Sequence, residues 1–161
     1  MSSMLLTTHE ARIVVGVDVG GMNKGFHAVL LKNGDFAGLS SSTNAVEVAT
    51  WIEEHDAVAV GVDAPCRWSA LGRSRTAERA LALDGIHAFS TPTKEAAEGR
   101  QFYGWMLNGM KMYAALGRFR LFDGSRGRLS LICFETFPHA VACALAGRVV
   151  SAKQKATIRP C

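Results

Sequence analysis

The chain has 161 residues, of which 48% are hydrophobic and 20% are charged. This is the size of one domain with enough apolar residues for a buried core, so we expect a soluble globular protein. The net charge of +4, from 18 basic and 14 acidic residues, is far from that of a polybasic tail and leans mildly toward phosphate-bearing partners.

The N-terminal stretch MSSMLLTTHEAR lacks the basic region and the long apolar segment of a secretory signal, and no run approaches a membrane span. We therefore expect residues 1–11 to be a flexible N-terminus, the location to be cytoplasmic and no membrane to be a partner. The four cysteines show no zinc-site spacing, which predicts reduced and mostly structural thiols. Cys66 lies in a Pro-Cys-Arg turn where a thiolate would be exposed, but no partner base is evident.

Three sequential antiparallel strands are predicted between residues 12 and 42. The run RIVVGVDVGG is rich in β-branched residues, and GFHAVLLKNGDFAGLSS forms two strands around Asn33-Gly34, a dipeptide typical of a tight hairpin. Asp18 interrupts the first run, which otherwise has the pattern of a buried strand. A buried Asp costs several kcal/mol unless a cation, hydrogen bonds or protonation compensates it, so its place needs a cause.

A helix and a parallel strand follow. NAVEVATWIEEH has apolar residues at helical spacing, with Asn44 and Glu47 placed as a capping pair. AVAVGVDAP is nearly all apolar, as expected of a central parallel strand, and it ends at Asp63 before Pro65. A right-handed helical crossover would lay this strand beside the first one.

The remaining chain predicts further helices and one more strand. In residues 66–128 we expect a helix near residues 75–83 and another over GWMLNGMKMYAALG, whose Met and aromatic stripe is typical of core packing. RLSLICFETFP is a strand that ends in Glu135, and Pro138 then opens a helix that Gly147 closes. No repeat or linker appears, so residues 12–161 are predicted to form a single domain.

Three carboxylates, Asp18, Asp63 and Glu135, should meet at the carboxyl ends of neighbouring strands, where open sheets bind ligands. They cannot share a small space without protons or cations, and oxygen-only ligands favour Mg²⁺ or Mn²⁺ over zinc. Such ions can drive phosphodiester hydrolysis. The structural alternative, which stays open, has Asp63 and Glu135 as caps and Asp18 as an acceptor of backbone hydrogen bonds.

The motifs VGVDVGG, VGVDAPCRWS, GIHAFSTPT, FYGWMLNGMKMYAAL and ICFETFPHAVACALAG, in this order, resemble domain-of-unknown-function family 429 over residues 12–159. That family is regarded as predicted nucleases of the RNase H-like fold. The resemblance implies an α/β domain with a mixed sheet, three antiparallel strands followed by parallel ones, and flanking helices. It also implies a divalent-metal site of Asp18, Asp63 and Glu135, with catalytic and metal-binding roles for all three.

The chain departs from this pattern near its end, where no Asp or Glu follows Glu135. RNase H-like nucleases usually take a further acidic ligand from a late helix. We therefore expect a domain that lacks its last helices, and the sequence leaves open whether a metal ligand is lost with them. The predicted function is metal-dependent hydrolysis of nucleic acid, with Asp18 bridging two ions and Asp63 and Glu135 each holding one.

Further residues are candidates for phosphate contact, proton transfer or base stacking. A phosphate-steering rim would take basic side chains from the segment after Asp63 and from the tail: Arg67, Arg73, Arg75, Lys94, Lys153, Lys155 and Arg159. His139 is expected to pack at the start of its helix rather than to transfer protons. Four aromatic residues are candidates for base stacking, with core burial favoured for those in the helix: Trp68, Phe102, Tyr103 and Trp105.

Two other functions stay open. An RNase H-like module without catalysis would bind nucleic acid or a protein, and an exposed sheet edge would favour a homodimer. GVDVGG also resembles the first phosphate motif of the sugar-kinase and actin superfamily, but those proteins need two such domains. Met22-Asn23 stands where a Walker loop has its Lys-Ser/Thr pair, so ATP binding is expected to be weak.

Overall fold

The computed structural model describes residues 11–72, 74–124 and 131–151. Within them a six-stranded mixed sheet has the order β3-β2-β1-β4-β6-β5. Its strands are β1 (Ile13–Val19), β2 (Phe26–Lys32), β3 (Asp35–Ser42), β4 (Ala59–Asp63), β5 (Arg120–Leu121) and β6 (Ile132–Glu135). The helices are α1 (Ala45–Glu54), α2 (Thr76–Leu83), α3 (Lys94–Ala97), α4 (Gly104–Ala115) and α5 (Pro138–Ala146), with a 3₁₀ turn at Gln101–Tyr103.

The predicted mixed sheet with flanking helices is confirmed. β1, β2 and β3 are antiparallel neighbours, whereas β4 runs parallel to β1 and β6 runs parallel to β4. The β2–β3 hairpin turns at Asn33 and Gly34, which have φ of 54° and 94° and so adopt the left-handed conformation that this dipeptide favours.

The helix α1 begins where the sequence predicts it. The Asn44 side chain accepts a hydrogen bond from the backbone N–H of Val46 at 3.0 Å, and Ser42 donates to Glu47 at 2.6 Å. The buried side of α1 consists of Ala45, Val48, Ala49 and Ile52. This crossover connects β3 to β4 and brings β4 beside β1, as expected of a right-handed connection.

The segment between β4 and β6 contains more elements than the sequence indicates. Helices α2 and α4 are predicted, but the one-turn helix α3, the 3₁₀ turn and the two-residue strand β5 are too short for a periodic pattern. β5 pairs with β6 through Arg120 and Leu121 at one edge of the sheet. The predicted homodimer through a sheet edge stays a prediction.

The core lies between one face of the sheet and the helices α1 and α4. Val15 and Val17 of β1, together with Val60 and Val62 of β4, are at most 3% exposed. The helices bury Val48, Ile52, Met112 and Leu116 against them. The stripe predicted on α4 consists of Met106, Met110 and Tyr113. Met106 is fully buried and Tyr113 packs against the core, whereas Met110 is half-buried and Met112 takes the core position.

The expectation that β1 is buried around Asp18 is wrong. Along β1, Val15, Val17 and Val19 are buried whereas Gly16 and Asp18 are exposed. The alternation arises because α1 and α4 pack on the valine face, and successive strand residues point to opposite faces. Asp18 therefore carries no penalty of full burial, and its setting has to be explained by its neighbours on the exposed face.

Two further findings bear on the predicted organisation. No helix among the described residues is long and apolar enough to cross a membrane. Residues 1–10, Arg73, residues 125–130 and residues 152–161 lie outside the described part of the chain. The predicted flexible N-terminus therefore lies almost wholly outside it, and the single-domain extent of 12–161 stays a prediction.

Gly109 sets how closely α4 approaches the end of β4. A Cβ added there would lie 2.4 Å from the Cβ of Ala64, so the helix or the strand end has to move. We predict that Gly109→Ala lowers the free energy of unfolding by about 1–3 kcal/mol, because overpacking outweighs the gain of ~1 kcal/mol in helix propensity. Chemical denaturation measures the difference.

Gly117→Ala is the matched control. Its added Cβ would meet only the Ala114 carbonyl oxygen at 3.7 Å, an ordinary contact. We expect this variant to be as stable as the parent. Equal stability of Gly109→Ala and Gly117→Ala would contradict the close contact.

Candidate functional site

Asp18 and Asp63 lie directly opposite each other in adjacent parallel strands. The register of β1 and β4 pairs Gly16 with Gly61, Val17 with Val62 and Asp18 with Asp63. Residues paired in this way project from the same face of a sheet. Both carboxylates are thus held side by side at the carboxyl edge of β1 and β4.

The electrostatics of Asp63 reflect this crowding. Partial burial, and then the negative charges of Asp18 and Glu135, raise the pKa of Asp63 from 3.8 to about 6. Like charges and a desolvated position both disfavour the ionised carboxyl. The three carboxylates predicted from the sequence therefore do influence one another at one edge of the sheet.

Glu135 reaches the same region but already has a counter-ion. Its two carboxylate oxygens accept from the two terminal guanidinium nitrogens of Arg75, at 2.7 Å and 2.5 Å, and the backbone N–H of Cys66 donates at 3.0 Å. Burial alone would raise the pKa of Glu135, but these bonds outweigh it and hold the pKa below its usual range. Glu135 is ionised and neutralised within the protein.

Arg75 also contacts a second carboxylate, that of Glu78. Its Nε donates to Glu78 at 2.7 Å, and its backbone N–H donates to the same carboxyl at 2.9 Å. Glu78 is 6% exposed and accepts two further bonds, from the backbone N–H and the hydroxyl of Thr91. Burial opposes the ionisation of Glu78, yet these donors lower its pKa. One guanidinium therefore ties the start of α2 to the end of β6.

A divalent metal ion can be tested against these residues. Two oxygen ligands on one sheet face, one with a raised pKa, form a setting that a hard cation would stabilise. Among the described residues, no three His, Cys, Asp or Glu side chains are grouped closely enough to hold one ion. The predicted metal site of Asp18, Asp63 and Glu135 therefore stays a prediction, and Glu135 would have to exchange Arg75 for the metal.

A histidine that sequence reasoning missed lies in the same row. His27 of β2 pairs with Asp18, and Ser41 of β3 pairs with His27. The Nδ1 of His27 is 2.8 Å from the Ser41 hydroxyl, a contact that orients the ring. The alternation of the strand is the signal for His27, because it puts this residue on the exposed face between the buried Phe26 and Ala28. The pairing of β1 with β2 then places His27 beside Asp18.

The basic residues proposed as a phosphate rim have mixed outcomes. Arg75 is used inside the protein, Arg67 is exposed, and Lys94 is exposed with Glu98 at 3.8 Å. The others lie outside the described residues: Arg73, Lys153, Lys155 and Arg159. The phosphate rim stays a prediction that rests on Arg67 and Lys94 within the described chain.

Two other candidates have roles that the contacts explain. His139 is half-buried; its Nε2 is 2.8 Å from the Val150 carbonyl oxygen, and its ring stands edge-on to Phe137. Burial, and then the neighbouring Glu135, raise the pKa of the Cys66 thiol to about 11. A raised pKa keeps the thiol protonated, which argues against Cys66 as a nucleophile.

The loop after β1 is closed by its own hydrogen bonds. The N–H of Gly20 donates to the Gly25 carbonyl, and the N–H groups of Lys24 and Gly25 both donate to the carbonyl of Gly21. The side chain of Asn108 donates to the carbonyl of Gly20. Three amides of the loop are therefore engaged, which weakens the interpretation of this loop as a phosphate cradle.

Removing the guanidinium should be costly. We predict that Arg75→Gln lowers the free energy of unfolding by about 3–5 kcal/mol, because Glu78 and Glu135 lose their shared counter-ion and keep only hydrogen bonds from neutral donors. The control is Lys94→Gln, which breaks an exposed pair and should change stability by less than about 1 kcal/mol. Equal stability of the two variants in urea denaturation would contradict the role of Arg75.

Asp63 should make stability depend on pH. Because its pKa is raised to about 6 in the folded protein, the contribution of Asp63 to stability falls as pH rises from about 4 to about 6. Asp63→Asn removes this loss, so the variant should exceed the parent in melting temperature at about pH 7.5 and approach it near pH 4. A difference that is the same at both pH values would contradict the like-charge crowding.

A family described as "Protein of unknown function (DUF429)" matches residues 16–159. No curated protein and no solved structure matches the chain. The matched segment begins within β1, runs past the end of α5 and includes Asp18, Asp63 and Glu135. The chain therefore belongs to the DUF429 family.

Proposed function

We propose that this protein is a divalent-metal-dependent nuclease of the RNase H-like type, which hydrolyses phosphodiester bonds in nucleic acid. The observation that carries the proposal is the pairing of Asp18 with Asp63 in adjacent parallel strands. It is supported by the raised pKa of Asp63, which marks a site where negative charge lacks a counter-ion. The order of the strands agrees with this type of fold.

Asp18 and Asp63 would hold the ion, which we propose to be Mg²⁺ or Mn²⁺. When bound, such an ion activates a water and stabilises the charge that develops on a phosphodiester. The two carboxylates fix its position because both are attached to hydrogen-bonded strands in the interior of the sheet. In this proposal a second ion would need Glu135 to leave Arg75.

His27 has a place in the same proposal. It is exposed on the face of Asp18 and its ring is oriented by Ser41. Imidazole is the side chain most often used for proton transfer in catalysis. His27 would accept a proton from the attacking water or donate one to the leaving oxygen.

A second candidate function is a nucleic-acid or protein binding module without catalysis. It is favoured by the bidentate contact of Arg75 with Glu135, which occupies one of the three predicted metal ligands. Such a module would use the predicted phosphate rim to bind nucleic acid in a salt-sensitive way. It would show no metal-dependent cleavage.

The test is cleavage of labelled DNA and RNA in the presence of Mg²⁺, Mn²⁺ or EDTA. We expect the parent to cleave with either ion, and Asp18→Asn and Asp63→Asn to fall to the level seen in EDTA, because each loses an ion ligand. Asp35→Asn, at the far edge of the sheet, is the control and should cleave like the parent.

The variants must be purified identically, so that a contaminating nuclease would appear in all of them. Cleavage by Asp18→Asn at the parent rate would refute the assigned site. If neither the parent nor any variant cleaves, and the parent binds nucleic acid in a salt-sensitive way, the module without catalysis is favoured.

A further inference from the structure

An aromatic pocket of about 360 Å³ opens beside the paired carboxylates. We define it by the three aromatic residues that line it, Phe89, Trp105 and Phe137; Asp63 and Glu135 line it too. The volume lies in the range of pockets that bind small molecules. The pocket therefore shares Asp63 with the site of the proposed hydrolysis.

Two of the aromatic rings that line the pocket contact each other edge to face. Phe89 and Trp105 stand at an interplanar angle of 62°, with ring centroids 6.1 Å apart. Leu81 and Ala88 are among the other apolar residues that line the pocket. Phe89 is 65% exposed, so its ring is displayed to solvent at the mouth and is not part of the core.

The charges around the pocket argue against a free phosphate as its ligand. Arg75 lines the pocket, but three of its nitrogens donate to Glu78 and Glu135. One guanidinium is thus matched against two carboxylates, and Asp63 adds further negative character. An anion would be repelled, whereas a neutral ring that presents N–H groups to the carboxylate edge would be accepted.

We propose that the aromatic pocket binds one unpaired nucleobase of the nucleic acid and so selects single-stranded substrate; this inference rests on the proposed nuclease function. Bases stack on aromatic side chains whatever their sequence, and an unpaired base can leave the strand to do so. A base within a duplex is stacked on both faces and paired at its edge, so it cannot enter the pocket unless it is extruded from the helix. The adjacent phosphodiester would then lie at Asp63 and Asp18.

The test measures binding separately from cleavage, by fluorescence anisotropy of a short labelled strand and of the blunt duplex of the same sequence. Titrations are carried out with Ca²⁺ and again in EDTA. We expect the parent to prefer the single strand, and Phe89→Ala to weaken single-strand binding by about 5- to 100-fold, because base stacking on an aromatic ring is lost. Duplex binding should not change.

Two variants make the result specific. Phe89→Tyr keeps the stacking surface and should bind like the parent. Phe36→Ala removes an equally exposed ring, 65% accessible, from β3 at the far side of the sheet and should also bind like the parent. In both controls the pocket keeps an aromatic ring at position 89, which Phe89→Ala removes.

Equal affinity of the parent for single strand and duplex, no binding of either, or parent-like binding by Phe89→Ala would each overturn the pocket assignment. So would displacement of the strand by tetramethylammonium at concentrations where NaCl has no effect, since an aromatic cage for organic cations would then explain the walls. Metal-dependent cleavage that does not respond to Phe89→Ala would leave the nuclease proposal standing and remove only the pocket. Binding that depends on Phe89 without cleavage would support the pocket and remove the nuclease.

Discussion

The parallel pairing of β1 with β4 is the constraint on which the site depends. Its register places Asp18 beside Asp63. The valines of β1 and β4 anchor both strands in the core on the other face of the sheet. A slip by one residue would send one carboxylate into the apolar core, where an unpaired charge is very costly. The packing of α1 and α4 against the valines therefore also fixes the distance between the two charges.

Arg75 gives the carboxylates at this edge two different environments. It pairs with both Glu135 and Glu78, whose pKa values are lowered, and leaves Asp63 with a raised pKa beside Asp18. Neighbouring acids whose pKa values are driven apart are typical of sites that carry out chemistry. The same guanidinium joins α2 to β6 and so supports one side of the aromatic pocket.

Much of this arrangement could be predicted from the sequence because strong local patterns encode it. The Asn33-Gly34 turn, the capped helix α1 and the carboxylates at strand ends are all such signals. The exposure of Asp18 could not be predicted, since it depends on which face the helices cover. The partner of Glu135 could not either, because Arg75 lies 60 residues away along the chain, and no local pattern indicates a contact over that separation.

The most direct test of the account is calorimetric titration of Mn²⁺ into the parent, Asp18→Asn, Asp63→Asn and the distant control Asp35→Asn. The account predicts binding by the parent and by Asp35→Asn, and loss of that binding in the other two, because two opposed carboxylates form the ion site. Absence of Mn²⁺ binding by the parent, or retention of parent affinity by Asp18→Asn, would contradict it.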